Sequence, residues 1–120
     1  MIIDTNVLIY LSKYTLSPEK ILVKNAAISV ITKIEALGFK FSNDAEYELI
    51  SGICNELKAF SLSDEIADAT INIRKNHKIK LADALIYATA LVEGLPLLTN
   101  NIKDFNSLSG DVKLINPFDL

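Results

Sequence analysis

Short apolar runs alternate with longer stretches of helical period along this chain. Met1-Ile2-Ile3 reads as a buried strand too brief to satisfy itself, stopped by Asp4. Val7 to Leu11 then reads as the first turns of a helix, with Thr5 or Asn6 able to cap it. Ser12 to Lys24 reads as a connection in which Pro18 favours a turn or a helix start. Ala26-Ala27-Ile28-Ser29 is a second strand. From Val30 to Phe39 the period changes: Val30, Ile34 and Leu37 share a helical face, Glu35 lies beside it, and Gly38 marks the end. Asn43 opens the next helix, and Glu46 three residues on completes something close to a capping box. Its apolar stripe is Tyr47, Ile50, Ile53, Cys54 and Leu57, with Asp44, Glu46, Glu48 and Glu56 largely towards solvent.

Ala59-Phe60-Ser61-Leu62 reads as a third strand, and Ser63 caps a helix from about Asp64 to Asn76 with Ile66, Ala69 and Ile73 inward. Asp64 and Glu65 suit the positive end of its dipole. Leu81 to Glu93 is the most apolar helix, ended by Gly94 and Pro96. Leu95 to Thr99 is a fourth strand running out into a polar loop that carries Asp104-Phe105, and Val112 to Ile115 is a fifth. Strands alternating with helices indicate a parallel α/β sheet between helical layers. There is no internal repeat and no low-complexity linker.

At 120 residues, half of them hydrophobic, the chain reads as one domain over 1–120 with a substantial core and no tendency to disorder. Its longest apolar stretch falls far short of the roughly 20 residues a membrane span requires. Asp4 stands where an export signal would carry basic residues, so none is expected. Cys54 has no partner for an internal disulfide and fits a reducing cytoplasm. The CxxC, HxxxH and GxSxG patterns are absent, and Gly38, Gly52, Gly94 and Gly110 never cluster into a phosphate-cradling loop. The net charge of −3, from 12 basic and 15 acidic residues, argues on its face against a nucleic-acid partner. Two divalent ions in an acidic pocket would turn −3 into +1 and blunt that objection.

Four acids stand out against this pattern. Asp4 lies at the carboxyl end of a strand, the edge at which open α/β sheets bind ligands, and burying it is costly without a proton, a donor or a cation. Asp83 lies in a helix apolar nearly all round; its i±4 positions are Ile79 and Tyr87, so no lysine or arginine there pairs with it. Its position near the helix start also allows a plain dipole-stabilising role. Taken alone, Asp104 reads as a cap or turn aspartate and Glu35 as an exposed helical glutamate. The strand ends and helix starts of a parallel sheet can bring all four to one edge.

Asp4-Thr5-Asn6 after an N-terminal apolar strand, the isolated Glu35, the Asp83-Ala84-Leu85-Ile86 helix and the Thr99-to-Asp104-Phe105 segment resemble the PIN domain, most closely the VapC-type toxin ribonucleases of toxin–antitoxin pairs. The resemblance spans essentially the whole chain. It implies a three-layer α/β/α sandwich around a parallel sheet of about four to five strands, and endonucleolytic cleavage of RNA. It also implies an Mg2+ or Mn2+ site made by Asp4, Glu35, Asp83 and Asp104, with Thr5, Asn6 and Thr99 as polar supports. Asp4 and Asp83 would bind metal directly, Glu35 and Asp104 would complete the shell or orient the attacking water, and the products would carry 5′-phosphate and 3′-hydroxyl ends. The physics agrees: crowded carboxylates raise one another's pKa unless cations neutralise them, and an all-oxygen set favours Mg2+ or Mn2+ over zinc.

Similar proteins often carry arginine where this chain has Asn100, and Arg74 is its one arginine. Phosphate contact therefore falls to Arg74, Lys75, Lys78, Lys80 and Lys103, although the 74–80 run equally suits a solvated helix end. His77 reads as a surface or dipole residue, and Cys54, Tyr10, Phe39, Phe41 and Phe60 read as core. Two other readings stand beside the nuclease. One is a catalytically silent PIN-like module that binds RNA or protein. The other is a haloacid-dehalogenase-type phosphatase, which would want a second aspartate at position 6, where this chain has Asn6. As a toxin it would pair with a small antitoxin laid over an apolar groove, for which the aliphatics of the first helix and of the 43–58 helix are candidates; these equally suit a homodimer interface.

Overall fold

Strands of two or three residues are stable only when paired edge to edge beneath helices. In the computed structural model, which describes residues 1–13, 15–23, 25–108 and 110–120, five such strands form one sheet. They are β1 (Ile2–Ile3), β2 (Ala27–Ser29), β3 (Lys58–Phe60), β4 (Leu97–Leu98) and β5 (Leu114–Ile115), in the order β3-β2-β1-β4-β5, parallel throughout. Between and after them run α1 (Thr5–Ser12), α2 (Pro18–Ile21), α3 (Val30–Leu37), α4 (Asp44–Glu56), α5 (Asp64–Asn76), α6 (Leu81–Glu93) and α7 (Ile102–Asn106), with a final 3-10 turn at Pro117–Asp119.

Successive strand residues point to opposite faces and divide the core in two. Ile2 and Leu97 pack with Ile66, Ile86 and Tyr87 beneath α5 and α6. Ile3 and Leu98 pack with Leu8, Leu11 and Ile50 beneath α1 and α4. The result is the three-layer α/β/α sandwich expected from the alternation. Side chains as fully buried as Ile2, Ile3, Leu8 and Ile86 contribute roughly 1.5–3 kcal/mol each.

The helix boundaries follow their caps. Asn43 Oδ1 accepts from the Glu46 amide at 2.9 Å, and Ser63 Oγ accepts from the Ile66 amide at 3.1 Å. Gly94 ends α6 in the left-handed conformation, φ 66°, where a side chain would be strained. Pro18 begins α2 within the connection expected over 12–24, in which Tyr14 and Lys24 lie outside the described residues.

Several expectations need correction. The third strand is 58–60 rather than 59–62, and the fifth starts at Leu114 rather than Val112, because pairing in register with Ala27–Ser29 and with Leu97–Leu98 sets their lengths. Thr5 and Asn6 do not cap α1: Asp4 takes that position with an extended backbone, and its side chain turns elsewhere. In α3 the buried residues are Thr32 and Ala36, with Leu37 packed partly against the cluster beneath α1 and α4, while Ile34 is 61% exposed. The fourth strand is shorter than 95–99, since the Leu95 amide is drawn into the end of α6, donating to Ala90 O at 3.0 Å. The loop carrying Asp104 is helical: α7 is anchored by buried Phe105, which stacks on Tyr87 at 5.9 Å between centroids. Those two are the fully buried aromatics among the described residues, whereas Phe39 is exposed and Tyr10, Phe41 and Phe60 are only half-buried.

Candidate metal centre

The chain runs outward from β1 to β2 and β3, then returns to place β4 and β5 on the other side of β1. The order therefore reverses between β1 and β4, and the crevice beyond their carboxyl ends is where such sheets bind ligands. The residues that leave the sheet there are Asp4 and Thr99. The register Ile3 to Leu98 makes them neighbours, and the Asp4 amide donates to Leu98 O at 2.9 Å.

Asp4 is 3% exposed. Thr99 Oγ1, fully buried, donates to Asp4 Oδ2 at 2.7 Å and accepts from the Asn101 amide at 2.9 Å. Burial pushes the Asp4 carboxyl up to about 6; the Thr99 hydroxyl and the Thr5 amide oppose the rise, and the charges of Asp83 and Glu35 add to it. Asp83, in the first turn of α6, is also raised, by burial first, then by Glu35 and Asp104, with Lys80 opposing.

The other two acids are exposed and held by neutral donors. Thr5 Oγ1 donates to Glu35 Oε1 at 2.7 Å and lies 3.2 Å from Thr32 Oγ1, whose own proton can extend the chain of hydroxyls. Asn101 Nδ2 donates to Asp104 Oδ2 at 2.9 Å. Among the described residues no lysine or arginine forms an ion pair with any of the four acids; the ion pair present is Lys13–Glu46.

The structure thus sets Asp4, Glu35 and Asp83 in one another's field and Asp104 in that of Asp83. Among the described residues, however, no three acid, histidine or cysteine side chains are grouped tightly enough to hold one ion. The donor chemistry fits a hard divalent cation, since carboxylates and hydroxyls without nitrogen or sulfur are the ligands Mg2+ and Mn2+ prefer.

Of the polar supports, Thr99 and Thr5 hold Asp4 and Glu35, whereas Asn6 is exposed and makes no side-chain hydrogen bond among the described residues. Thr32 and Asn101 were not singled out from the sequence. Asn101 had a readable signal, because it stands three residues before Asp104, the spacing of a side-chain cap. Arg74, Lys78, Lys80 and Lys103 line one cavity with Asp83 and Asp104, while Lys75 faces the adjoining groove with His77 and Leu81. Cys54 is buried, as expected. An apolar groove of about 510 Å3 lies between α4 and the chain leaving α2, lined by Leu22, Val23, Ala26, Leu49, Ile53 and Leu57. The helix at 44–56 contributes to it as expected, but Val7, Leu8 and Leu11 of α1 do not: they are fully buried core.

A family model for the PIN domain matches residues 1–110. Among solved structures, a toxin–antitoxin complex from Klebsiella pneumoniae is similar, with 30% identity, 97% of this chain and 96% of that chain covered, and a TM-score of 0.75. VapBC2 from Rickettsia felis, bound to a DNA fragment from its promoter, has 23% identity, 96% coverage of each chain and a TM-score of 0.79. DNA-bound VapBC from Salmonella typhimurium has 24% identity, 94% coverage of each and a TM-score of 0.77. No curated protein matches the chain significantly.

Proposed function

The chain belongs to the PIN domain family, and on that premise we propose that it is an RNA-hydrolysing nuclease dependent on Mg2+ or Mn2+, acting as the toxin of a toxin–antitoxin pair. The observation that carries this reading is Asp4: a carboxylate buried at the switch point, with negative neighbours and no cationic partner among the described residues. Its neutral donors offset that burial only in part, and a bound cation would stabilise the anion further.

Asp4 and Asp83 would hold the metal, with Glu35 and Asp104 completing its shell or orienting the attacking water. The bound cation would polarise the phosphodiester and ease deprotonation of that water. Thr99 fixes the direction of the Asp4 carboxylate, Thr5 that of Glu35, and Asn101 that of Asp104. In-line attack would leave 5′-phosphate and 3′-hydroxyl ends. The toxin assignment is supported by the toxin–antitoxin complex from Klebsiella pneumoniae at 30% identity, and the apolar groove beside α4 suits a helix or extended segment of an antitoxin. A second copy of the chain would suit the other exposed apolar face, where Ile34 and Leu62 are 61% and 56% exposed. No described helix is long and apolar enough to cross a membrane, and an RNA substrate would put its action in the cytoplasm.

Labelled RNA incubated with Mn2+ should be cut, and EDTA should stop the cutting. Asp4→Asn and Asp83→Asn should each lower the rate by about 10^3-fold, the several kcal/mol a bound cation supplies. Wild-type protein that binds RNA without cutting it would favour the silent binding module, the reading to which the open spacing of the four acids lends some support.

A further inference from the structure

The edge that carries the four acids has two unlike flanks. On the flank of Glu35 the exposed aliphatics Ile34 and Leu62 line one small, largely apolar pocket. Beyond Asp83 and Asp104 the two carboxylates share a cavity of about 560 Å3 with Arg74, Lys78, Lys80 and Lys103. These cations come from separate parts of the fold: Arg74 from the last turn of α5, Lys78 and Lys80 from the connection to α6, and Lys103 from α7 beside Asp104. A solvated helix end accounts for the first but not for Lys103.

A third of the 12 basic residues of an acidic chain therefore gathers at one cavity, and among the described residues none of them is neutralised by an ion pair. Arg74 Nε donates to Ile79 O at 3.4 Å, which leaves the terminal nitrogens of the guanidinium for another acceptor. The volume falls within the roughly 300–1,000 Å3 of small-ligand sites. The lining contains Ile79 and Ser107 but no aromatic ring. It offers charge for a backbone and no surface on which a base could stack.

We propose that this cavity is a backbone subsite for RNA: Arg74, Lys78 and Lys103 grip the phosphate next to the one being cut, and Lys80 bridges towards the metal acids. The inference rests on the nuclease reading above and deepens it. It gives the substrate strand a direction across the site, from the apolar flank through the four acids into the basic cavity. It also makes binding on this flank indifferent to base sequence. Lys75 lies outside the subsite.

The test uses the wild-type protein, Arg74→Gln, Lys78→Gln and Lys103→Gln, with Lys113→Gln, an exposed lysine elsewhere, as the control for charge. Substrates are labelled RNAs in which one phosphate at a time, on either side of the cut, is replaced by a neutral methylphosphonate. In the wild type, neutralising one neighbouring phosphate should slow cutting about tenfold, the scale of a charge-assisted contact. Each subsite variant should cut native RNA about tenfold more slowly and lose less than wild type does on that modified substrate, the non-additivity expected of direct partners. The dependence of log(kcat/KM) on log salt should fall in slope by about 0.7 for each cation removed, and Lys113→Gln should match wild type throughout. The four side chains are exposed, so the variants keep the fold. Variants that cut at the wild-type rate with the wild-type salt slope, or that instead lose only the binding of a protein partner, overturn the subsite while leaving the nuclease intact. A wild-type protein that cuts no RNA in Mg2+ or Mn2+ overturns the nuclease reading and the subsite with it.

Discussion

At Asp4 the fold holds a carboxylate almost out of water, supplied with hydroxyl and amide donors but with no positive charge. Its pKa of about 6, against an ordinary 3.8, means that the folded protein binds this proton more tightly than the unfolded chain. Stability from this group is therefore full below about pH 4 and is lost as pH rises through 6, at a cost of about 3 kcal/mol in the metal-free protein. Asp4→Asn should remove that loss. In EDTA at pH 7.5 the variant should melt above wild type, at pH 4 the two should converge, and parallel melting curves across this range would contradict the burial argument. Thr99→Val should weaken cation affinity by about 10- to 100-fold, as loss of a supporting hydrogen bond typically does, measured by Mn2+ titration. Asp4 and Asp83 were legible in the sequence because each is a charge within an apolar run. Thr32 was not, because its role depends on a hydroxyl meeting Thr5 across two helices.

Among the elements, α4, α5 and α6 were readable almost to the residue, since Asn43, Ser63 and Gly94 are local signals that need no tertiary information. The five residues of α7 are too few for a period to show, and what fixes them is the distant contact of Phe105 with Tyr87. Phe105→Ala should cost about 3–5 kcal/mol by leaving a cavity between α6 and α7. Because Asp104 is the neighbouring residue, cation affinity should fall along with the denaturation midpoint; a variant of unchanged stability would show that α7 is not anchored there. The inward face of α3 was misread for a related reason. Helical period groups Ile34 with Leu37, but Leu37 packs against the core beside buried Thr32 and Ala36, while Ile34 is exposed.

For the molecule as a whole, alternation of strands and helices told the class of fold but not the order of the strands. That order matters most, because the reversal between β1 and β4 is what sets residue 4 beside residue 99 and opens a crevice to α3, α6 and α7. Convergence of the acids was expected from the resemblance and from the sheet-edge rule. The structure puts Asp4, Glu35 and Asp83 in one another's field but leaves Glu35 and Asp104 exposed, and among the described residues no three acids are grouped tightly enough to hold one ion. The net charge of −3 had argued against RNA, yet the fold collects four of the cations on one flank of the acids. The central claim, that these carboxylates share a divalent cation, is most directly tested by calorimetric titration of the metal-free protein with Mn2+ at pH 7.5. Wild type should bind the ion, with affinity falling at least about 100-fold in both Asp4→Asn and Asp83→Asn. Equal affinity in all three proteins, or no binding by wild type, would contradict it.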